Sequence, residues 1–253
     1  MESEFILLFS LAVVASLYGS VGHGGASGYL AILSLTAYAQ QGPDWLKTHA
    51  LCLNLIVASL ALYNYSKQGF LNFSLIWPFI VTSIPAAYLG AYLPIIDWVY
   101  DTVLSLTLIW AAGRLVMLNK TGTRVEHSPP QLTTALPIGA GLGILSGIVG
   151  VGGGIFLSPL LILKKWAGAK ETAAVSALFI LVNSVAGLAG MSFSGQMSLD
   201  LTLLSKFIVA VLIGGLVGTH FGAAHGSETS IRRLLAVVLI IASIRRILGF
   251  VGL

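Results

Sequence analysis

The sequence predicts an all-α polytopic membrane protein. It is built from two inverted repeats, each with four long hydrophobic segments, the first broken at a glycine-rich motif into two short helices. Three observations predict it. Of 253 residues, 57% are hydrophobic and only 9% charged, and the mean hydropathy is +0.94, far from the balance of a soluble domain. Apolar stretches recur from end to end with no long polar domain between them. Two clusters of glycine occupy matching places in the two halves of the chain.

The opening MESEFILLF carries Glu2 and Glu4 where a secretory signal carries Lys or Arg, and no small-residue cleavage site follows, so the first helix is expected to be retained. It leads into SVGHGGASG, residues 20–28, with four glycines, two serines and one histidine. Glycine disfavours a helix interior by about 1 kcal/mol relative to alanine, so the segment should break there. At about 35 residues the whole segment is too long for one span of roughly 20 residues and short for two. Lys47 then opens the next apolar segment, THALCLNLIVASL.

The same order returns later. Gly19, Gly22, Gly24 and Gly25 match Gly147, Gly150, Gly152 and Gly153 at a constant offset, and AAYLGAYLP matches GGLVGTHFG at that offset, aligning Gly90 with Gly218. Arg114 aligns with Arg245 after a small insertion, and Lys170 opens ETAAVSALFILVNS as Lys47 opens its own segment. The seam is NKTGTRVEHSPPQ, the longest polar stretch and the only one with a Pro-Pro pair. The expected organisation is therefore a first transmembrane repeat over 1–118, a cytoplasmic linker over 119–131 and a second repeat over 132–253.

Parity decides the relative orientation. If each glycine segment enters and returns, each half crosses an odd number of times and the second half is inverted. Lys67, Lys120, Arg124, Lys164, Lys165, Lys170, Arg232 and Arg233 then share one face, leaving mainly Lys47, Arg245 and Arg246 opposite. The positive-inside rule favours that arrangement, with the N-terminus outside and the linker in the cytoplasm. The net charge of +4 is explained by these orienting loops. There is no basic run with interleaved aromatics, so no nucleic acid is expected as a partner. Cys52, the only cysteine, can form neither an internal disulfide nor a multi-cysteine metal site.

Inverted repeats with interrupted helices near the bilayer midplane are a recurrent transporter plan. A glycine turn supplies free N–H groups, and a helix starting after it points the positive end of its dipole to the same place. Two such turns make a site for a small anion with no formal positive charge. The candidate substrate-binding residues are Gly22, His23, Gly24, Gly25, Ser27, Asn54, Gly150, Gly152, Gly153, Gly154 and Asn183. Asn54, Ser59, Ser176, Asn183 and Ser184 either bond neighbouring helices or complete the ion's shell. His23 is the one ionisable group inside either motif and the candidate for proton coupling. On this reading, alanine at the glycines impairs transport more than folding.

The paired glycine motifs, each followed by a helix opened by lysine, and above all LSGIVGVGGGIFLSPLLIL, residues 145–163, resemble the sulfite exporter TauE/SafE family, also called the sulfonate uptake permeases. The resemblance covers nearly the whole chain; the first half departs from it by carrying His23 and GASG. It implies transport of small sulfur-containing or organic anions such as sulfite, sulfonates and sulfoacetate, usually without ATP. The chain is then expected in the cell (inner) membrane as a multi-pass protein, not an enzyme, with no cofactor or metal. Its partners are a small anion, the lipid bilayer, protons and a second copy in a homodimer. Two other readings stand beside it. GASG, residues 25–28, fits the G-x-S-G form of intramembrane serine proteases, with Ser27 as nucleophile and His220 or His225 as base. A passive anion channel could be built on the same glycine turns.

Overall fold

A computed structural model of the chain describes residues 2–33, 36–94, 102, 129–227 and 233. Among them are eight α-helices and no strand: α1 Glu2–Gly19, α2 Ala26–Leu33, α3 Pro43–Lys67, α4 Phe73–Tyr92, α5 Leu132–Val149, α6 Gly154–Leu163, α7 Ala169–Phe193 and α8 Leu201–His220. A 3-10 turn, Ala37–Gln41, precedes α3, and a π turn, Phe221–His225, continues α8. The fourth apolar segment of each half, Arg114 and Arg245, and residues 119–128 of the linker lie outside the described residues.

The all-helical membrane class holds. α3, α4, α5, α7, and α8 with its π turn are long and apolar enough to cross a bilayer. Their outer faces carry exposed side chains such as Val81, Leu89, Val209, Ile213 and Val217, as contact with lipid requires. Both glycine motifs break their helices, but unequally. The leading members α1 and α5 have 18 residues each, and only α2 and α6, with 8 and 10, are short.

Local chemistry sets the ends. The Asn72 side chain accepts from the Leu75 N–H to start α4, and Asp200 accepts from the Thr202 and Leu203 N–H groups to start α8. These are the usual N-cap bonds to otherwise orphaned donors. Pro43 sits in the first turn of α3, where its missing N–H costs nothing. Gly150 ends α5 in the left-handed region at φ 71°, donating its N–H to the Ser146 carbonyl.

Contacts fix the directions. A Cβ added at Gly214 would overlap the backbone of Ala12, and one at Gly218 that of Ser16, so α1 and α8 run parallel in backbone contact. Gly139, Gly143 and Gly147 approach Phe79, Ser83 and Ala87 in the same way, which makes α5 parallel to α4. The Ser198 N–H donates to Thr48 Oγ1 at 3.3 Å, and Asn64 Nδ2 donates to Thr219 Oγ1 at 2.8 Å, so α3 runs with α8. Asn72 donates to Glu171 at 2.8 Å, and Gln196 to the Tyr92 carbonyl at 3.0 Å, so α7 runs with α4. Since α4 turns back from α3 through residues 68–72, α1, α3 and α8 point one way and α4, α5 and α7 the other.

After each glycine break the chain comes back toward the end where its leading helix starts. Gly28 of α2 packs beside Val14 and Tyr18 of α1. By Tyr38 the chain has returned to Phe207, at 5.9 Å between ring centroids, next to the Lys206 that pairs with Glu4 at the start of α1. In the second half Trp166 returns to Phe79, at 6.2 Å. Tyr38 with Phe207 and Trp166 with Phe79 are the same pair displaced by 128 residues, as are Gly218 on Ser16 and Gly90 on Ile144. Along α3 and α7 the displacement falls to 126, for Gly22 packs on Ala173 and Gly150 on Lys47. Lys47 therefore corresponds to Ala173 and not to Lys170. A link four residues longer before α3, with its 3-10 turn, less the two residues by which α2 is shorter than α6, gives the two-residue shift. α3 and α7 are the most buried spans, at 56% and 67% against 33–44% for the others, and so form the centre of the bundle.

Candidate functional site

The two breaks meet at the middle of α3. Asn54, halfway along that helix and fully buried, touches both. Its Oδ1 accepts from the Ala26 N–H at 3.1 Å, the first residue of α2. Its Nδ2 donates to Ser184 Oγ of α7 at 2.9 Å and to the Val151 carbonyl of the second break at 3.5 Å. Sequence spacing marks Asn54 as a buried amide, but only the fold reveals that one side chain ties two motifs 128 residues apart.

A second tie runs the other way. His23, buried at 2% exposure, meets Ser158 Oγ of α6 through Nε2 at 3.1 Å, and Ser158 meets Ser176 of α7 at 2.7 Å. His23 Nδ1 has no hydrogen-bond partner among the described residues. Each break thus sends a polar group into the opposite half, and no Asp, Glu, Lys or Arg takes part in either chain of bonds. Among the described residues no group of three His, Cys, Asp or Glu side chains could hold a metal.

Three buried tyrosines support the first break. Tyr29 donates to the Gly24 carbonyl at 2.8 Å, Tyr65 to the Ser20 carbonyl at 2.6 Å, and Tyr18 pairs with Ser27 at 3.0 Å. Sequence reasoning missed them. A tyrosine in an apolar segment reads as an interfacial anchor, and nothing local says that its hydroxyl reaches a broken backbone.

The glycines pack against protein. A Cβ at Gly22 would strike the backbone of Ala173, at Gly24 the Asn54 side chain, at Gly25 the Tyr29 ring and at Gly150 the Lys47 side chain. One at Gly152 meets Asn54 and Ser184, at Gly153 Phe179 and Ser146, and at Gly154 Ile180. Their Cα faces are therefore closed, while among the described residues the N–H groups of Gly24, Gly25, Gly152 and Gly153 have no backbone acceptor in the turns. The first turns of α2 and α6 begin at the same place, with the positive ends of two helix dipoles, and the Ala26 N–H there is taken up by Asn54.

Asn183 stands apart from this network. It is 1% exposed, yet neither of its side-chain polar atoms has a partner. Ser27, the candidate protease nucleophile, is paired with a phenol instead of an imidazole, and the histidine nearest the motif is engaged by Ser158. Among the described residues no histidine hydrogen-bonds Ser27, the arrangement by which an imidazole would activate it.

The profile of the family described as Sulfite exporter TauE/SafE matches residues 7–246. The chain belongs to this family. Among relatives of this TauE/SafE chain, a protein of Sinorhizobium fredii named "Probable membrane transporter protein y4hK" is 34% identical over 250 residues, covering 97% of the chain and 99% of the relative. A Bacillus subtilis protein named "Probable membrane transporter protein YdhB" is 24% identical over 225 residues, covering 85% and 88%. No solved structure matches the chain. As a TauE/SafE member it is a membrane transporter, and its helical spans are those of a multi-pass protein.

Proposed function

We propose that the chain is a secondary transporter of small sulfur-containing or organic oxyanions of the sulfite, sulfonate and sulfoacetate class, with the anion held at the midplane between the two glycine breaks. The observation that carries this reading is the meeting of the two breaks at Asn54, which accepts from the first N–H of α2 and donates to the Val151 carbonyl of the second break, with glycine N–H groups lacking a backbone acceptor just before α2 and α6. Such donors suit an anion that must be released again, because they attract it without a fixed ion pair. His23 is the coupling group: protonation adds a donor and a charge at the first break, so a bound anion and a bound proton favour one another. Tyr18, edge-on to His23 at 6.4 Å, and Tyr29 are the titratable side chains beside it.

Residues 1–118 and 132–253 are the two inverted repeats of this transporter, joined by the linker 119–131. The opposed directions of α1 and α5, α3 and α7, and α4 and α8 support that reading. Lys67, Lys164, Lys165 and Lys170 lie where α3 ends and α7 starts, whereas Glu4, Asp44, Lys47, Asp200 and Lys206 lie where α1, α3 and α8 start. By the positive-inside rule the lysine-rich face is cytoplasmic and the N-terminus external, in the cell (inner) membrane.

The test is uptake into proteoliposomes of sulfite, sulfate and short organosulfonates, with and without a pH gradient. Saturable uptake of sulfite or a sulfonate, accelerated by a gradient acidic on the side of entry, is the expected result. Absence of uptake for every anion, or uptake indifferent to the gradient, counts against the substrate class or the coupling respectively.

A further inference from the structure

Buried polar atoms without a hydrogen bond cost about 1–3 kcal/mol each and call for an explanation. Among the described residues they occur on His23, Ser66, Ser83, Ser146, Thr172 and Asn183. Ser66 and Thr172 lie in the terminal turns of α3 and α7, and His23 belongs to the site already described. Three remain, and the packing brings them together. α4 and α7 run parallel with Phe79 and Phe179 in one apolar cluster and Ala91 and Met191 in another, so Ser83 and Asn183 each stand one turn beyond a clustered phenylalanine. Gly143 of α5 packs on the Ser83 backbone, and the Ser146 side chain lies beside Gly153 together with the Phe179 ring. The seam between α4, α5 and α7 therefore holds two hydroxyls and one amide with no protein partner, next to the start of α6.

The other half has no such group of side chains. At the displacements of 128 and 126 residues found above, Ser83 corresponds to Val211, Ser146 to Tyr18 and Asn183 to Val57, and all three counterparts are buried. Tyr18 fills its place with a ring whose hydroxyl is already paired with Ser27. Packing alone is thus served by apolar groups in one half, while the other keeps three costly polar ones.

We propose that Ser83, Ser146 and Asn183 form the binding niche for the transported oxyanion, on the second-repeat side of the midplane only. This rests on the reading of the chain as an oxyanion transporter. Two hydroxyls and the amide NH2, carried on three different helices, offer a small oxyanion donors from several sides, and Gly153, which opens α6 at the positive end of its dipole, lies beside Ser146.

The test uses Asn183→Val, Ser146→Ala and Ser83→Ala, with sulfite as the probe, measuring uptake kinetics in proteoliposomes and thermal melting in detergent. The niche requires KM for sulfite to rise tenfold or more in Asn183→Val and severalfold in the serine variants. It also requires the ligand-free melting temperature to stay or rise, because an unsatisfied polar group has been removed. A structural role gives the opposite split, a lower melting temperature with KM within twofold of the parent, and overturns the proposal. So does a melting shift produced by sodium over choline with no effect of sulfite, which makes the niche a cation site. If the parent takes up none of sulfite, sulfate or methanesulfonate, the oxyanion reading itself fails, an outcome distinct from parent uptake that the variants leave unchanged.

Discussion

Replacing Asn54 with alanine removes the acceptor of the Ala26 N–H and the donor to Ser184 in one step. Both groups are left buried, so about 2 kcal/mol or more of stability should go, read as a fall in melting temperature together with loss of transport. Gly24→Ala and Gly25→Ala should act on the same unit from the other side, by collision with Asn54 and with the Tyr29 ring. Their folded yield should fall along with flux, against the expectation from sequence that alanine there impairs transport more than folding. His23→Gln separates charge from shape. The amide can still meet Ser158, but it cannot titrate, so anion uptake should lose its increase with falling pH. An unchanged pH profile in that variant excludes His23 as the coupling group. At this scale the sequence was informative wherever chemistry was unusual for its surroundings, as with His23, Asn54 and the glycines. It was silent on Ser146 and Tyr18, because a serine or tyrosine in an apolar segment gains meaning only from what faces it.

At the scale of elements, the glycines at 90, 214 and 218 matter through the close approach of parallel helices. A Cβ at Gly218 meets the Ser16 backbone and one at Gly90 the Ile144 backbone, so Gly218→Leu and Gly90→Leu should each force a helix pair apart. Comparable losses of melting temperature and monodisperse yield from both are expected, since they are the same contact in the two halves. A large loss from one and none from the other contradicts that equivalence. The existence and order of the elements were legible from apolar runs and glycine breaks. The lysine pairing misled because the stretch from the start of α2 to the start of α3 is two residues longer than its counterpart from α6 to α7, which shifts the register, and such a length difference has no hydropathy signal. The re-entrant reading of the glycine segments rests in the sequence only on counting charges on either side, whereas the contact of Tyr38 with Phe207 shows the chain coming back after the first break.

For the molecule as a whole, the opposed helix directions make a topological prediction. In a Cys52→Ala background, single cysteines at Gln41 and Gln68, both exposed and at opposite ends of α3, should react with a membrane-impermeant thiol reagent from opposite sides of intact cells, Gln41 from outside. Labelling of both from one side contradicts the inverted arrangement. The pairing of α1 with α8 also sets a timetable. Ser16 and Gly218 are separated by about 200 residues, so at a synthesis rate of roughly 5–20 residues per second, about 10–40 s pass between the appearance of one surface and of its partner. During that interval the Ala12–Ser16–Ser20 stripe of α1 has only lipid or the insertion machinery to lean on. Damage at Gly214 or Gly218 is then a failure of the last act of biogenesis: chains are made and inserted at the normal rate, then removed by quality control because their first helix never finds its seat.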